Sequence, residues 1–98
     1  MKRVAITGLG IVSSIGNNKE EVTKSLRDGT SGISFSPEYA ERGFRSHVHG
    51  APNINLNDFV ERKQRRFMGD GAAYNYVAMK QAIADAGLNE CEVSNDRT

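Results

Sequence analysis

Val4-Ala5-Ile6-Thr7-Gly8-Leu9-Gly10-Ile11-Val12 is the stretch from which the architecture of this chain can be predicted. It is apolar and rich in β-branched residues, a composition typical of an inner strand buried on both faces of a helix-covered sheet. Gly8 and Gly10 lack a Cβ, so a neighbouring helix or backbone can approach closely there. The turn formers of residues 13–18 end the stretch. The sequence therefore predicts an α/β fold whose first core strand lies here.

Two functional interpretations of this stretch are weak. Its start resembles a secretory leader, but Thr7 and the two glycines interrupt the apolar run and no small-residue cleavage site follows. Gly8-x-Gly10 after a strand is part of a dinucleotide-binding fingerprint. That fingerprint requires a helix opening at the glycines, whereas the first helix signal comes only at Asn18. Its acidic residue would be Asp28, at the end of a polar helix instead of a second strand.

The composition limits the remaining possibilities. Ninety-eight residues make one domain at most, and 38% hydrophobic residues with ten glycines and no tryptophan predict a thin core. A net charge of +1 gives no bulk attraction to nucleic acid or membranes. The single cysteine cannot form an internal disulfide, which favours a reducing, cytoplasmic location. No segment has the length of a membrane span.

Local signals predict three helices. Residues 19–28 form a surface helix that begins after Asn18 and ends before Gly29. Residues 59–68 form a second, whose apolar ends hold it in place. Residues 70–86 form the longest, with Asp70 as its cap, and its predicted core stripe comprises Ala72, Ala73, Tyr76, Val77, Met79, Ile83 and Ala86. Ser36-Pro37 is predicted to open a single helical turn that stops at Gly43.

Strand signals are sparse outside residues 4–12. Residues 33–35 are predicted to be briefly extended and residues 44–52 to form a short strand, and the polar tail after Gly87 carries no predicted helix or strand. One strong strand cannot form a sheet, so the chain is predicted to be incomplete as a folding unit. His47 and His49 point to one face, but they lack the third and fourth ligands of a zinc site, and ordinary histidines are the better interpretation.

The charge anomaly of the chain is a cluster of four cations in residues 62–66: Arg62, Lys63, Arg65 and Arg66. Arg62 and Arg66 stand four residues apart, where like charges on a helix repel. Either this is a solvated helix face with acidic partners elsewhere in the fold, or it is a docking patch for an anionic partner. The residues alone leave both interpretations open.

Several separated motifs resemble those of β-ketoacyl-acyl carrier protein synthases, the condensing enzymes of fatty acid synthesis. The opening stretch through Gly16 resembles their N-terminus, and further similar motifs follow in the same order. They are Ser31-Gly32-Ile33, Arg45-Ser46-His47-Val48, Arg66-Phe67-Met68 and Gln81-Ala82-Ile83-Ala84-Asp85-Ala86-Gly87-Leu88. The pattern is more similar to the bacterial type I enzymes than to type II, chiefly through Ser46-His47-Val48 and Arg62-Lys63.

The resemblance implies a thiolase-like α-β-α-β-α fold, two similar halves and a homodimer. Residues 1–98 would be the N-terminal portion of the first half, with no complete domain. It implies an acyltransferase that performs a decarboxylating Claisen condensation with no cofactor and no metal. The catalytic cysteine at a helix N-terminus and two histidines would lie downstream of Thr98, so this segment alone would be inactive. Cys91, His47 and His49 do not correspond to them.

The resemblance also assigns a role to the cation cluster. Arg62, Lys63 and Arg66 resemble the family's basic patch for the acidic acyl carrier protein, with Arg65 as a secondary contact. Two alternatives remain, a nucleic-acid module that uses residues 62–66 and a dinucleotide site at Gly8 and Gly10. The first lacks base-stacking aromatic residues and overall basicity.

Overall fold

The computed structural model describes residues 1–98, which divide into two compact units. One, here called the inserted unit, is Ser13–Ile54; the other, the terminal unit, combines Met1–Val12 with Asn55–Thr98. The inserted unit contains α1 (Lys19–Asp28), β1 (Ile33–Phe35), α2 (Pro37–Glu41) and β2 (Val48–Gly50). The terminal unit contains a 3₁₀ turn (Leu56–Asp58), α3 (Arg62–Arg65), α4 (Asp70–Ala86) and α5 (Glu90–Val93).

Helix α1 has the predicted bounds, and its ends are closed by local interactions. The Asn18 side chain accepts a hydrogen bond from the backbone N–H of Glu21 at 2.9 Å. In return the Glu21 carboxylate accepts from the N–H of Asn17 at 2.7 Å. Gly29 follows the helix with φ of +66°, a left-handed conformation that glycine adopts without steric cost. These caps explain why a helix with no buried residue has sharp boundaries.

The sheet of the inserted unit consists of β2, which lies within the predicted short strand of residues 44–52, and β1, which was predicted as a brief extension. β1 and β2 pair antiparallel, with Ile33 opposite Gly50 and Phe35 opposite Val48. The pairing continues past the strands, because Ser36 donates its N–H to the carbonyl oxygen of His47 at 2.6 Å. Ser36 is also the predicted cap of α2 and is buried, with its hydroxyl accepting from the N–H of Tyr39. The short strand predicted in residues 44–52 is thus confirmed for Val48–Gly50, and the expectation that the chain forms no sheet was wrong.

The predicted first strand is not a paired strand in the structure. Residues 1–12 belong to no sheet, and the side chains of Val4 and Ile6 are 93% and 92% exposed. The stretch instead runs along α4, where Leu9 donates its N–H to the Asp85 carboxylate at 3.0 Å and Ile11 to the Gln81 side-chain oxygen at 3.1 Å. Leu9 and Ile11 are two residues apart in the stretch, and Asp85 and Gln81 are four residues apart in the helix. Both separations correspond to about 6 Å, because an extended chain rises about 3.3 Å per residue and an α-helix about 1.5 Å. Without a strand neighbour, helix side chains satisfy these N–H groups.

Helix α4 has the predicted bounds, and its buried face agrees in part with the predicted stripe. Of that stripe, Ala73 and Val77 are buried and Tyr76, Ile83 and Ala86 are half-buried, whereas Ala72 is exposed and Met79 is 56% exposed. The burial follows contacts distant in sequence, which the helical period does not specify. Asp70 is not the cap, because Gly69 occupies that position without a side-chain bond.

The C-terminal end of α4 closes as the sequence predicts. Gly87 has φ of +69°, and its N–H bonds the Ala84 carbonyl at 3.2 Å. The N–H of Leu88 bonds the Ile83 carbonyl at 3.2 Å, which completes a Schellman motif.

The polar tail contains a helix that the sequence analysis missed. α5 begins at an Asn89–Glu92 capping box, in which each side chain accepts from the other residue's backbone N–H at 3.1 and 2.9 Å. The three-residue spacing of Asn89 and Glu92 is a sequence pattern that predicts a helix start. No helix in the structure is both long enough and apolar enough to span a membrane.

Candidate functional site

The cation cluster lies on a short helix, not on the ten-residue helix predicted for residues 59–68. A 3₁₀ turn ends at Asp58, and α3 comprises only Arg62–Arg65. Helical bonding continues weakly beyond it, since the N–H of Arg66 lies 3.4 Å from the Arg62 carbonyl oxygen. Val60, 3% exposed, is the buried residue in this region. Val60 thus confirms one of the expected apolar anchors, whereas the other two are exposed, Phe59 at 50% and Phe67 at 91%.

Arg65 differs from the other cations because its charge is satisfied within the terminal unit. Its guanidinium donates one hydrogen bond to the Met68 carbonyl oxygen at 2.5 Å and a second to the Asp70 carboxylate. The Arg65 side chain is 27% exposed. The structure thus gives Arg65 internal partners. The sequence grouped Arg65 with the other three cations because spacing alone does not show which acceptors a side chain reaches.

Arg62, Lys63 and Arg66 are exposed and form no ion pair or side-chain hydrogen bond. Arg62 and Arg66 stand one helical turn apart, and their mutual repulsion is compensated by no acidic side chain in contact. We call these three residues the basic patch. Exposed, uncompensated cations on adjacent turns form a surface that can attract and orient an anionic macromolecule.

Gly8 and Gly10 lie against α4. A Cβ on Gly8 would overlap the Ala82 carbonyl oxygen, and one on Gly10 would overlap that of Ala78. Both glycines therefore permit the backbone to approach the helix closely, a packing role that accounts for them without a bound phosphate.

The two histidines make aromatic contacts in the inserted unit. His47 contacts the Phe35 ring edge-to-face at 6.2 Å between centroids, and His49 contacts Tyr39 at 5.5 Å. The structure brings together no group of three or more histidine, cysteine, aspartate or glutamate side chains that could hold a metal ion. Cys91 is exposed and unpaired, on α5.

Comparison with known proteins decides the family. The sequence model of the beta-ketoacyl synthase N-terminal domain matches residues 1–98. The chain belongs to the β-ketoacyl synthase family. The resemblance seen in the sequence motifs is thereby confirmed, and the mixture of helices with a small sheet is consistent with an α/β segment of a ketoacyl synthase domain.

Relatives in this family point to one type of synthase. The chain is 58% identical over 98 residues to the 3-oxoacyl-[acyl-carrier-protein] synthase 1 of Haemophilus influenzae. It is 56% identical over 89 residues, 91% of its length, to the synthase 1 of Escherichia coli strain K12. Identity to the 3-oxoacyl-[acyl-carrier-protein] synthase 2 of Staphylococcus aureus strain COL is 33% over 97 residues. The chain spans about a quarter of the length of these relatives, 24%, 22% and 23% respectively.

Proposed function

We propose that this chain is the N-terminal segment of a 3-oxoacyl-acyl carrier protein synthase that elongates fatty acids in the cytoplasm. The observation that supports this most strongly is the family match over residues 1–98, with 58% identity to a synthase 1. Residues 1–98 form the first portion of one half of a homodimeric, thiolase-like enzyme. In that assembly the exposed stretch of Val4–Val12 is the first strand of the core sheet, and α4 is a flanking helix.

The reaction is a decarboxylating condensation that needs neither a metal nor a cofactor. A cysteine thiolate takes the acyl group from its thioester, and the carrier thiol leaves. Malonyl-carrier protein then loses CO₂, and the carbanion so formed attacks the acyl carbonyl. A carbon–carbon bond forms, the cysteine thiolate departs, and the product is the 3-oxoacyl thioester of the carrier protein. The cysteine and two assisting histidines lie outside residues 1–98.

The contribution of this segment to substrate binding is the basic patch. Acyl carrier protein is acidic, so exposed cations without internal partners attract it and set its orientation. Arg62, Lys63 and Arg66 meet this description, whereas Arg65 is occupied by Met68 and Asp70. Such surface charges contribute little to fold stability, which allows their replacement without loss of structure.

The test begins with the intact mass of the purified polypeptide, which shows whether residues 1–98 are part of a complete synthase, and continues in that synthase with the release of CO₂ from malonyl-carrier protein. The triple variant Arg62→Ala, Lys63→Ala, Arg66→Ala is expected to raise the KM for the carrier substrate by about tenfold or more. Added salt is expected to weaken wild-type binding more than variant binding, because salt at 0.15 M screens charges beyond about 8 Å. A charge-matched control replaces Lys2, Lys24 and Arg97, which are exposed elsewhere.

Two outcomes would contradict the proposal. Equal carrier affinity in the triple variant and the wild type would refute the docking role. Tighter binding to DNA than to the carrier at equal salt would instead favour a nucleic-acid module using residues 62–66.

A further inference from the structure

The linker between α3 and α4 is tied down by one side chain. Arg65 reaches across residues 66–69, with one guanidinium nitrogen 2.5 Å from the Met68 carbonyl oxygen and another bonded to the Asp70 carboxylate. These two attachment points lie on either side of Gly69. The planar guanidinium can hold two acceptors in a defined geometry, which a lysine ammonium cannot reproduce.

Packing holds this linker only weakly. Phe67 is 91% exposed, Met68 is half-buried, and a Cβ at Gly69 would meet nothing within 4 Å. Two backbone bonds close the turn after α3, from the N–H of Phe67 to Gln64 at 3.0 Å and from that of Met68 to Arg65 at 3.2 Å. The attachment of the turn to the start of α4 is therefore made by the Arg65 side chain.

Charge gives a second reason why α3 needs this attachment. A helix of four residues is marginal by itself, and Arg62 and Arg66 repel across its one turn. Asp70 neutralises Arg65 and leaves the other three cations uncompensated. Asp70 is thus directed to Arg65, and no acidic side chain forms an ion pair with the three cations of the basic patch.

We propose that Arg65 is a positioning residue for carrier docking, and this rests on the docking role proposed above for the basic patch. By joining Met68 and Asp70, Arg65 holds Arg66 in a fixed relation to Arg62 and Lys63, so that the three cations meet an acidic surface together. Arg65 itself does not contact the carrier. The opposite role, in which Arg65 leaves Asp70 and binds the carrier directly, makes a different prediction for Asp70.

The experiment compares Arg65→Met, Asp70→Asn and the double variant in the complete synthase that contains residues 1–98, because the catalytic cysteine proposed above lies outside this segment. KM and kcat are measured with malonyl-carrier protein and with a malonyl thioester of free pantetheine, which has no carrier surface. Each single variant is expected to raise the KM for the carrier substrate threefold to tenfold. The double variant is expected to raise it no further than Arg65→Met does, because Arg65→Met already removes the ion pair with Asp70. The kcat values and the KM for the pantetheine thioester are expected to stay at wild-type values.

If Arg65 contacted the carrier directly, replacing Asp70 would change the KM for the carrier substrate in the opposite direction. Asp70→Asn would then leave the KM for the carrier unchanged or lower it, since the guanidinium would be released for binding, and this result would overturn the proposal. Asp70→Glu keeps the charge and is expected to restore most of the wild-type KM. A lower kcat or a higher KM with the pantetheine thioester would also overturn the proposal, because such a change indicates general misfolding.

The two proposals fail separately. If the triple variant of the basic patch raises the KM while Arg65→Met does not, the positioning role is wrong and the docking role stands. If neither changes the KM for the carrier, the docking role itself is wrong.

Discussion

The backbone N–H of Leu9 donates to the carboxylate of Asp85 at 3.0 Å, although 76 positions separate the two residues in sequence. Ile11 makes the equivalent contact with Gln81 one helical turn away. Side chains of α4 thus take the place of a neighbouring strand for this edge of the stretch. This arrangement determines how the N-terminal residues are held in the terminal unit, and it can be tested at single positions.

Asp85→Ala is expected to lower the free energy of unfolding by about 1 kcal/mol, because the Leu9 N–H loses its acceptor at a partly solvated site. Hydrogen exchange at the Leu9 amide is expected to become faster, and it reports the contact directly. Asp96→Ala, which removes an exposed carboxylate near the C-terminus, serves as the control. Unchanged protection of the Leu9 amide in Asp85→Ala would contradict this account.

Gly10→Ala is expected to destabilise the terminal unit by about 2 kcal/mol or more, since the added methyl group would overlap the Ala78 carbonyl oxygen and force the backbone away from α4. The matched control is Gly71→Ala, at a helical position with nothing within 4 Å of the new Cβ. That change is expected to stabilise α4 by about 0.5–1 kcal/mol through helix propensity. Thermal unfolding of both variants measures the contrast, and equal effects of the two would refute the close contact at Gly10.

Ser36→Ala is expected to cost about 1 kcal/mol of unfolding free energy, because it removes the cap of α2 at a buried position. The control is Ser34→Ala, at the middle residue of the exposed strand β1. This change is expected to alter the unfolding free energy by less than about 0.5 kcal/mol. Chemical denaturation with circular dichroism distinguishes the two variants. A loss in Ser34→Ala as large as that in Ser36→Ala would contradict a specific capping role.

The sequence by itself determined the features that depend on neighbouring residues. The bounds of α1, the Ser36-Pro37 start of α2 and the closure of α4 by Gly87 follow from interactions within a few positions, and each was predicted. The capping box of α5 belongs to the same class and was readable from the Asn89–Glu92 spacing. The family was also contained in the sequence, because its motifs depend on residue identity and order.

Tertiary structure alone decided which residues meet across long separations. Pairing of β1 with β2, exposure of Met79 within the predicted core stripe, and attachment of Leu9 to Asp85 all depend on contacts that no local pattern encodes. The cation cluster shows both contributions. Its four charges were evident in the sequence, but their division into a bonded Arg65 and three free cations depends on where the chain brings Met68 and Asp70. A long side chain binds particular acceptors only when the backbone brings them within reach, and here that placement separates Arg65 from the basic patch.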